Sequence, residues 1–125
     1  MSKISVKSML NNKTENKFYS CETNAIIDNN KIKYLDDDVM VIIEINDDNI
    51  IINRKSKDYD ITLPFKKDST LIGAYNVKEL GTLDLKVKTN NIERDNNKLK
   101  IEYLMILDNT SKSEFEFIID FMEGE

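Results

Sequence analysis

The sequence predicts an all-β chain: one antiparallel up-and-down barrel of eight to ten strands, spanning residues 1–125 as a single domain. Three observations predict it. Apolar residues recur at every second position, which puts one face of each run in a core and the other in water. The gaps between runs are short and rich in Asn, Asp, Ser and Lys, which favours hairpins over parallel crossovers. Successive hairpin-linked strands in so small a domain leave exposed edges unless the sheet closes on itself or packs.

The runs lie at residues 4–6, 18–27, 31–35, 39–45, 49–53, 59–65, 71–75, 83–87, 99–103 and 115–117. The later ones are the cleanest. Leu83, Leu85 and Val87 alternate with Asp84, Lys86 and Lys88; Leu99, Ile101 and Tyr103 with Lys98, Lys100 and Glu102; Phe115 and Phe117 with Glu114 and Glu116. Turns are expected at Asn11-Asn12, Asp28-Asn29-Asn30, Asn46 to Asn49, Ser56-Lys57-Asp58, Lys67-Asp68-Ser69 and Asp108 to Ser111, because Asn and Asp tolerate the left-handed conformation that tight turns require.

A second pattern lies beneath the alternation. Residues 39–43, 50–52, 104–107 and 117–119 are apolar on both faces. If Val39, Val41, Ile43 and Ile45 point inward, Met40 and Ile42 point outward, and the same bookkeeping exposes Ile51, Leu104, Ile106 and Ile118. Apolar strips flanked by charge resemble a subunit interface. A homodimer through Met40, Ile42, Leu104, Ile106 and Ile118 is therefore expected, unless residues 1–16 fold across one strip and cover it.

Composition removes several function classes. The chain has no histidine and 3 glycines, so Ser-His-Asp or Cys-His catalysis, imidazole metal sites and a glycine-rich phosphate loop are all absent. With 23 acidic against 18 basic residues the formal charge is -5, which argues against a nucleic-acid or anionic-membrane partner. No apolar run is long enough for a membrane helix, and the opening Met1-Ser2-Lys3-Ile4-Ser5-Val6 lacks a signal-peptide core, so a cytoplasmic address is expected. A lone Cys21 cannot form an intramolecular disulfide.

Arg54, Phe65, Tyr75, then Gly81-Thr82-Leu83-Asp84-Leu85, Thr89, and Leu99-Lys100-Ile101-Glu102-Tyr103 form a spaced pattern in the second half of the chain. It resembles the YwiB-like family of uncharacterised bacterial proteins. The resemblance implies a calycin-like barrel, lipocalin-like in shape, with no catalytic residues or cofactor to carry over. Two departures stand out. Ser56 occupies the place of a glycine after Arg54, and Asn76-Val77 follows Tyr75 with a longer spacing to Gly81, where a bulge or a wider hairpin is expected.

The remaining candidate chemistry divides between solvated surface and site. An EF-hand loop beginning at Asp36 requires glycine and glutamate where Val41 and Asp47 stand, so Asp36-Asp37-Asp38 reads as a turn and no metal is expected. Asp84, Glu102, Glu114 and Glu116 alternate with lysines as exterior ion pairs do, and Lys86, Lys88, Lys98 and Lys100 lack the interleaved aromatics of a nucleic-acid platform. Cys21 has no neighbouring cation to activate it and reads as a small buried hydrophobe. Arg54, Tyr75 and Tyr103 differ, because they place polar tips in an apolar register. Arg54 is expected to plug a barrel mouth and bond the tyrosine hydroxyls, or with them to orient a small ligand in the lumen. The reading is a non-enzymatic binding module for a small apolar or amphipathic ligand, with a packed barrel serving as an interaction or accessory subunit as the alternative.

Overall fold

The computed structural model describes residues 2–123. Ten strands form one closed antiparallel barrel: β1 (Ser2–Asn12), β2 (Lys17–Asp28), β3 (Lys31–Asp36), β4 (Val39–Ile45), β5 (Ile50–Lys55), β6 (Tyr59–Phe65), β7 (Thr70–Val77), β8 (Gly81–Arg94), β9 (Lys98–Leu107) and β10 (Ser111–Glu123). Each strand pairs with the next in sequence, and β1 pairs with β10 to close the wall. Residues 2–16 therefore do not fold across an exterior strip, and Met1 lies outside the described residues. β1 is itself a stave, with Leu10 opposite Phe117 and Met9 opposite Ile118.

The turn chemistry is that of the sequence. Of the seven non-glycine residues with positive φ among the described residues, six are Asn or Asp: Asn16, Asn29, Asp37, Asp68, Asp108 and Asn109. Asn11-Asn12 is not a turn, however. These residues end β1, and the connection is made by residues 13–16, with the Glu15 amide donating to Asn12 Oδ1 at 3.1 Å. Ser56 supplies by side chain what a glycine would have supplied by backbone freedom: its Oγ accepts from the amides of Asp58 at 3.1 Å and Tyr59 at 3.3 Å. The wider hairpin expected after Tyr75 is present, closing Val77 onto Gly81, which has φ 88°.

Inward side chains fill the barrel. Val6, Val41, Ile43, Phe65, Val87, Leu99, Ile101 and Ile119 are wholly inaccessible, and these come from six of the ten strands. Ten strands enclose more volume than eight, and aromatic rings take up the excess. Tyr103 lies edge-on to Phe65 at 4.8 Å and stacked on Phe115 at 5.2 Å. The exterior is charged: Lys100 Nζ lies 3.3, 3.6 and 3.8 Å from Glu102, Glu116 and Glu93. No described helix is long and apolar enough to cross a membrane.

Two gaps in the wall decide where it opens. Lys78 N donates to Asp58 O, so even-numbered residues of β6 turn their backbone groups toward β7. The next donor after Thr62 would be Pro64, which has no N–H, and the β6–β7 ladder stops at the Thr62–Ala74 pair. At this gap Lys66 N, just past the end of β6, donates to Thr89 Oγ1 of β8, while the β6–β7 loop continues the β7–β8 ladder, with Asp68 N donating to Thr89 O and Thr89 N to Ser69 O. The second gap lies between β2 and β3, which pair only over residues 25–28 of β2, and no loop fills it.

Candidate functional site

The unfilled gap leads into a cleft of about 580 Å³ at the barrel mouth formed by the β1–β2, β3–β4 and β5–β6 turns. Its walls are Ser8 and Leu10 of β1, residues 18–20 of β2, the Asp36-Asp37-Asp38 turn with Val39, Arg54 of β5 and Tyr59 of β6, with Phe117 also lining it. The register dictates the inward members. Asp36 pairs with Val39, and Arg54 with Val41 and Ile61, so the Asp36 and Arg54 side chains share the inward face with Tyr34, Val41 and Ile61.

There the two meet. Arg54 Nη2 donates to Asp36 Oδ2 at 3.1 Å, with side chains 24% and 27% exposed. This is the guanidinium's only hydrogen bond among the described residues. Its other N–H groups have no acceptor among the described residues, and a half-buried guanidinium with spare donors is a ready partner for a carboxylate or carbonyl oxygen.

Arg54 therefore sits at a mouth, as the sequence suggests, but its partner is a carboxylate and not the tyrosine hydroxyls. Tyr103 is in the packed core, where burial raises its phenol pKa strongly and the charge of Arg54 lowers it only in part. Tyr75 lies near the rim, edge-on to Tyr59 at 6.3 Å, and does not line the cleft. Side chains fill the centre of the barrel, and the cleft that Arg54 lines lies at the mouth. Asp36, Ser8, Tyr19, Tyr34 and Tyr59 are the polar residues that sequence reasoning missed. Phase was the available signal: Ile32, Tyr34 and Asp36 alternate into the barrel, although the Asp run as a whole reads as a turn.

Tyr34 forms part of the packing near the cleft. It is 3% exposed, and although Ser8 is nearby, its hydroxyl has no hydrogen-bond partner among the described residues. Burial pushes its pKa up to about 12. Cys21 is half-buried, less so than a core hydrophobe. Its Sγ lies 3.9 Å from the Leu35 carbonyl, and burial followed by the Asp36 charge raises its pKa, leaving a protonated, unreactive thiol.

The opposite mouth carries a larger recess of about 920 Å³, lined by Ile4, Ile27, Ile32, Ile45 and Phe121 among others. It lacks the convergent charged pair that distinguishes the Arg54 mouth.

A model of a domain of unknown function, DUF1934, matches residues 4–119. The chain belongs to the DUF1934 family. Among solved structures, this DUF1934 chain is similar to the ywiB protein from Bacillus subtilis, with a TM-score of 0.65 and 18% identity over 98% of this chain and 91% of that one. At that identity the likeness extends to the fold of the DUF1934 barrel. No curated protein matches the chain.

Proposed function

We propose that the protein is a non-enzymatic binding module whose ligand enters the polar mouth and is anchored there by Arg54. The observation that carries this reading is a permanently charged, largely buried guanidinium that opens onto a cleft with one partner and spare donors. A ligand oxygen, carbonyl or carboxylate, would satisfy them, and Val39, Leu10 and the ring of Tyr59 would cover its apolar part. The titratable groups around the cleft support binding over catalysis, since burial holds Cys21 and Tyr34 in their neutral forms. Calycin-like barrels offer a fold-level analogy for a ligand at an open end. The test is thermal unfolding against a panel of small carboxylates, fatty acids and blocked oligopeptides. At least one member is expected to raise the melting temperature of the wild type and not of Arg54→Met, because binding to the native state stabilises it. A panel without any such member overturns the reading.

One observation favours a second reading, a packed barrel acting as an interaction or accessory subunit. On the exterior, Leu35 of β3 and Met40 of β4 face each other across the ladder, and both are exposed. Ile42 extends this strip. In this reading Met40 and Ile42 contact a second copy, while Leu104, Ile106 and Ile118 lie on strands half the barrel circuit away.

A further inference from the structure

Residues 17–24 of β2 run along β1 on one side and have no strand on the other. Antiparallel alternation decides which groups that leaves over. Lys13 N donates to Glu114 O, so odd-numbered residues of β1 turn toward β10 and even-numbered ones toward β2, where they meet Tyr19, Cys21 and Thr23. The amides and carbonyls of Phe18, Ser20 and Glu22 consequently point into the gap, without any partner among the described residues. Across the gap the Leu35 carbonyl receives only the distant Cys21 thiol. At the β6–β7 gap the Lys66 amide is taken up by Thr89 Oγ1 of β8; the amides of Phe18, Ser20 and Glu22 have no such acceptor among the described residues.

A row of alternating donors and acceptors at two-residue spacing is matched by another extended backbone, and a small molecule satisfies at most one step of it. The side chains beside the row specify what that backbone carries. On the cleft side Asp36 is neutralised by Arg54, whereas Asp37 and Asp38 of the β3–β4 turn have no ion-pair partner among the described residues, and Tyr19 and Tyr59 line the cleft beside them. On the outer face Phe18 (61% exposed), Leu35 and Met40 form an apolar margin. A strand in the gap alternates between these two faces.

We infer that the natural occupant of this cleft is an extended, basic segment of a partner polypeptide. It adds to the free edge of β2, directing Lys or Arg side chains inward to Asp37 and Asp38 and apolar side chains outward to Phe18, Leu35 and Met40. The inference rests on the reading of the mouth as a ligand site and names its ligand class. A second copy fits worse, because it carries the same -5 charge and would set one acidic rim against another.

The test uses a blocked octapeptide of alternating lysine and valine, its glutamate-for-lysine counterpart, and a lysine–valine analogue N-methylated along one backbone edge. Calorimetry and amide hydrogen exchange are the readouts. The lysine–valine peptide is expected to bind and to slow exchange at Phe18, Ser20 and Glu22 by about tenfold or more, with Tyr19 and Cys21 unchanged because β1 already holds them. Ser20→Pro removes an edge N–H without touching the β1 ladder, and is expected to weaken the peptide by about tenfold or more while the small carboxylates still bind. The N-methylated analogue makes the same test on wild-type protein if Ser20→Pro fails to fold. Equal binding of the N-methylated or the glutamate peptide overturns the inference, as does a self-associated wild type in which the Phe18, Ser20 and Glu22 amides are protected from exchange without any peptide. If small carboxylates bind through Arg54 and no peptide does, the inference falls and the mouth reading stands. If neither binds, both fall.

Discussion

Arg54 was legible because a charged residue in an apolar register has few places to go, and Tyr103 because it is in phase with Leu99 and Ile101. Their roles then diverged through register. Arg54 pairs with Val41 near a strand end and so reaches the mouth, whereas Tyr103 pairs with Phe115 and Thr89 and lies within the core. Tyr34 shows what burial does to a phenol without a partner. A desolvated, unbonded hydroxyl costs stability, so Tyr34→Phe is expected to gain about 1 kcal/mol at neutral pH in urea unfolding. An equal loss would mean that the hydroxyl is bonded in solution. The same residue sets an alkaline limit. Its folded pKa, about 12, exceeds the ordinary phenol value of 10.0, so the unfolded chain releases this proton first and stability falls as pH rises between those values. The contribution of Tyr34 to that slope is at most about 1.4 kcal/mol per pH unit, and Tyr34→Phe should flatten the alkaline limb accordingly.

At the scale of elements, all ten strands were visible as alternation, but their lengths were not. β1 runs to Asn12 because Ser8 and Asn12 take inward positions that an apolar pattern does not mark. β8 runs to Arg94 because an extra residue at Asn90 shifts the phase: Thr89 faces Tyr103, and the next inward residue, Ile92, faces Ile101. Without that bulge the alternation from Leu83 would place Ile92 in water. Pro64 and Gly73 act together where β6 and β7 part. A Cβ on Gly73 would lie 2.6 Å from the Thr62 carbonyl oxygen, 3.0 Å from Leu85 Cδ2 and 3.3 Å from Pro64 Cδ. The carbonyl belongs to backbone that the ladder holds in place, so Gly73→Ala should destabilise by about 1–3 kcal/mol. Chemical denaturation checks this, and an unchanged midpoint would show that β7 can move away from β6.

For the molecule as a whole, closure was predictable from hairpin rhythm, but the quality of the seams was not, because it depends on which residues donate across each one. That explains why the lumen expected from the sequence became a mouth: side chains fill the centre, and the unfilled seam admits solvent beside Arg54. The same view ranks the two exterior strips as surfaces for the self-association of the second reading. Around β9 and β10, Ile118 is paired with Lys100, which sits among three glutamates, and with Met9 of β1, so that strip is broken by charge and half-covered. Around β3 and β4, Leu35, Met40 and Ile42 are joined by Ile26 of β2, with Lys33 the cation between Ile26 and Ile42. Burial favours the strip with fewer charges to desolvate. If the barrel dimerises, Met40→Lys and Ile42→Lys are expected to yield monomers in sedimentation at micromolar concentration, while Ile106→Lys leaves the dimer intact, since the two strips lie on opposite sides of the wall. A dimer broken by Ile106→Lys alone would move the interface to β9–β10, and a wild type that is monomeric throughout would rule out self-association through either strip.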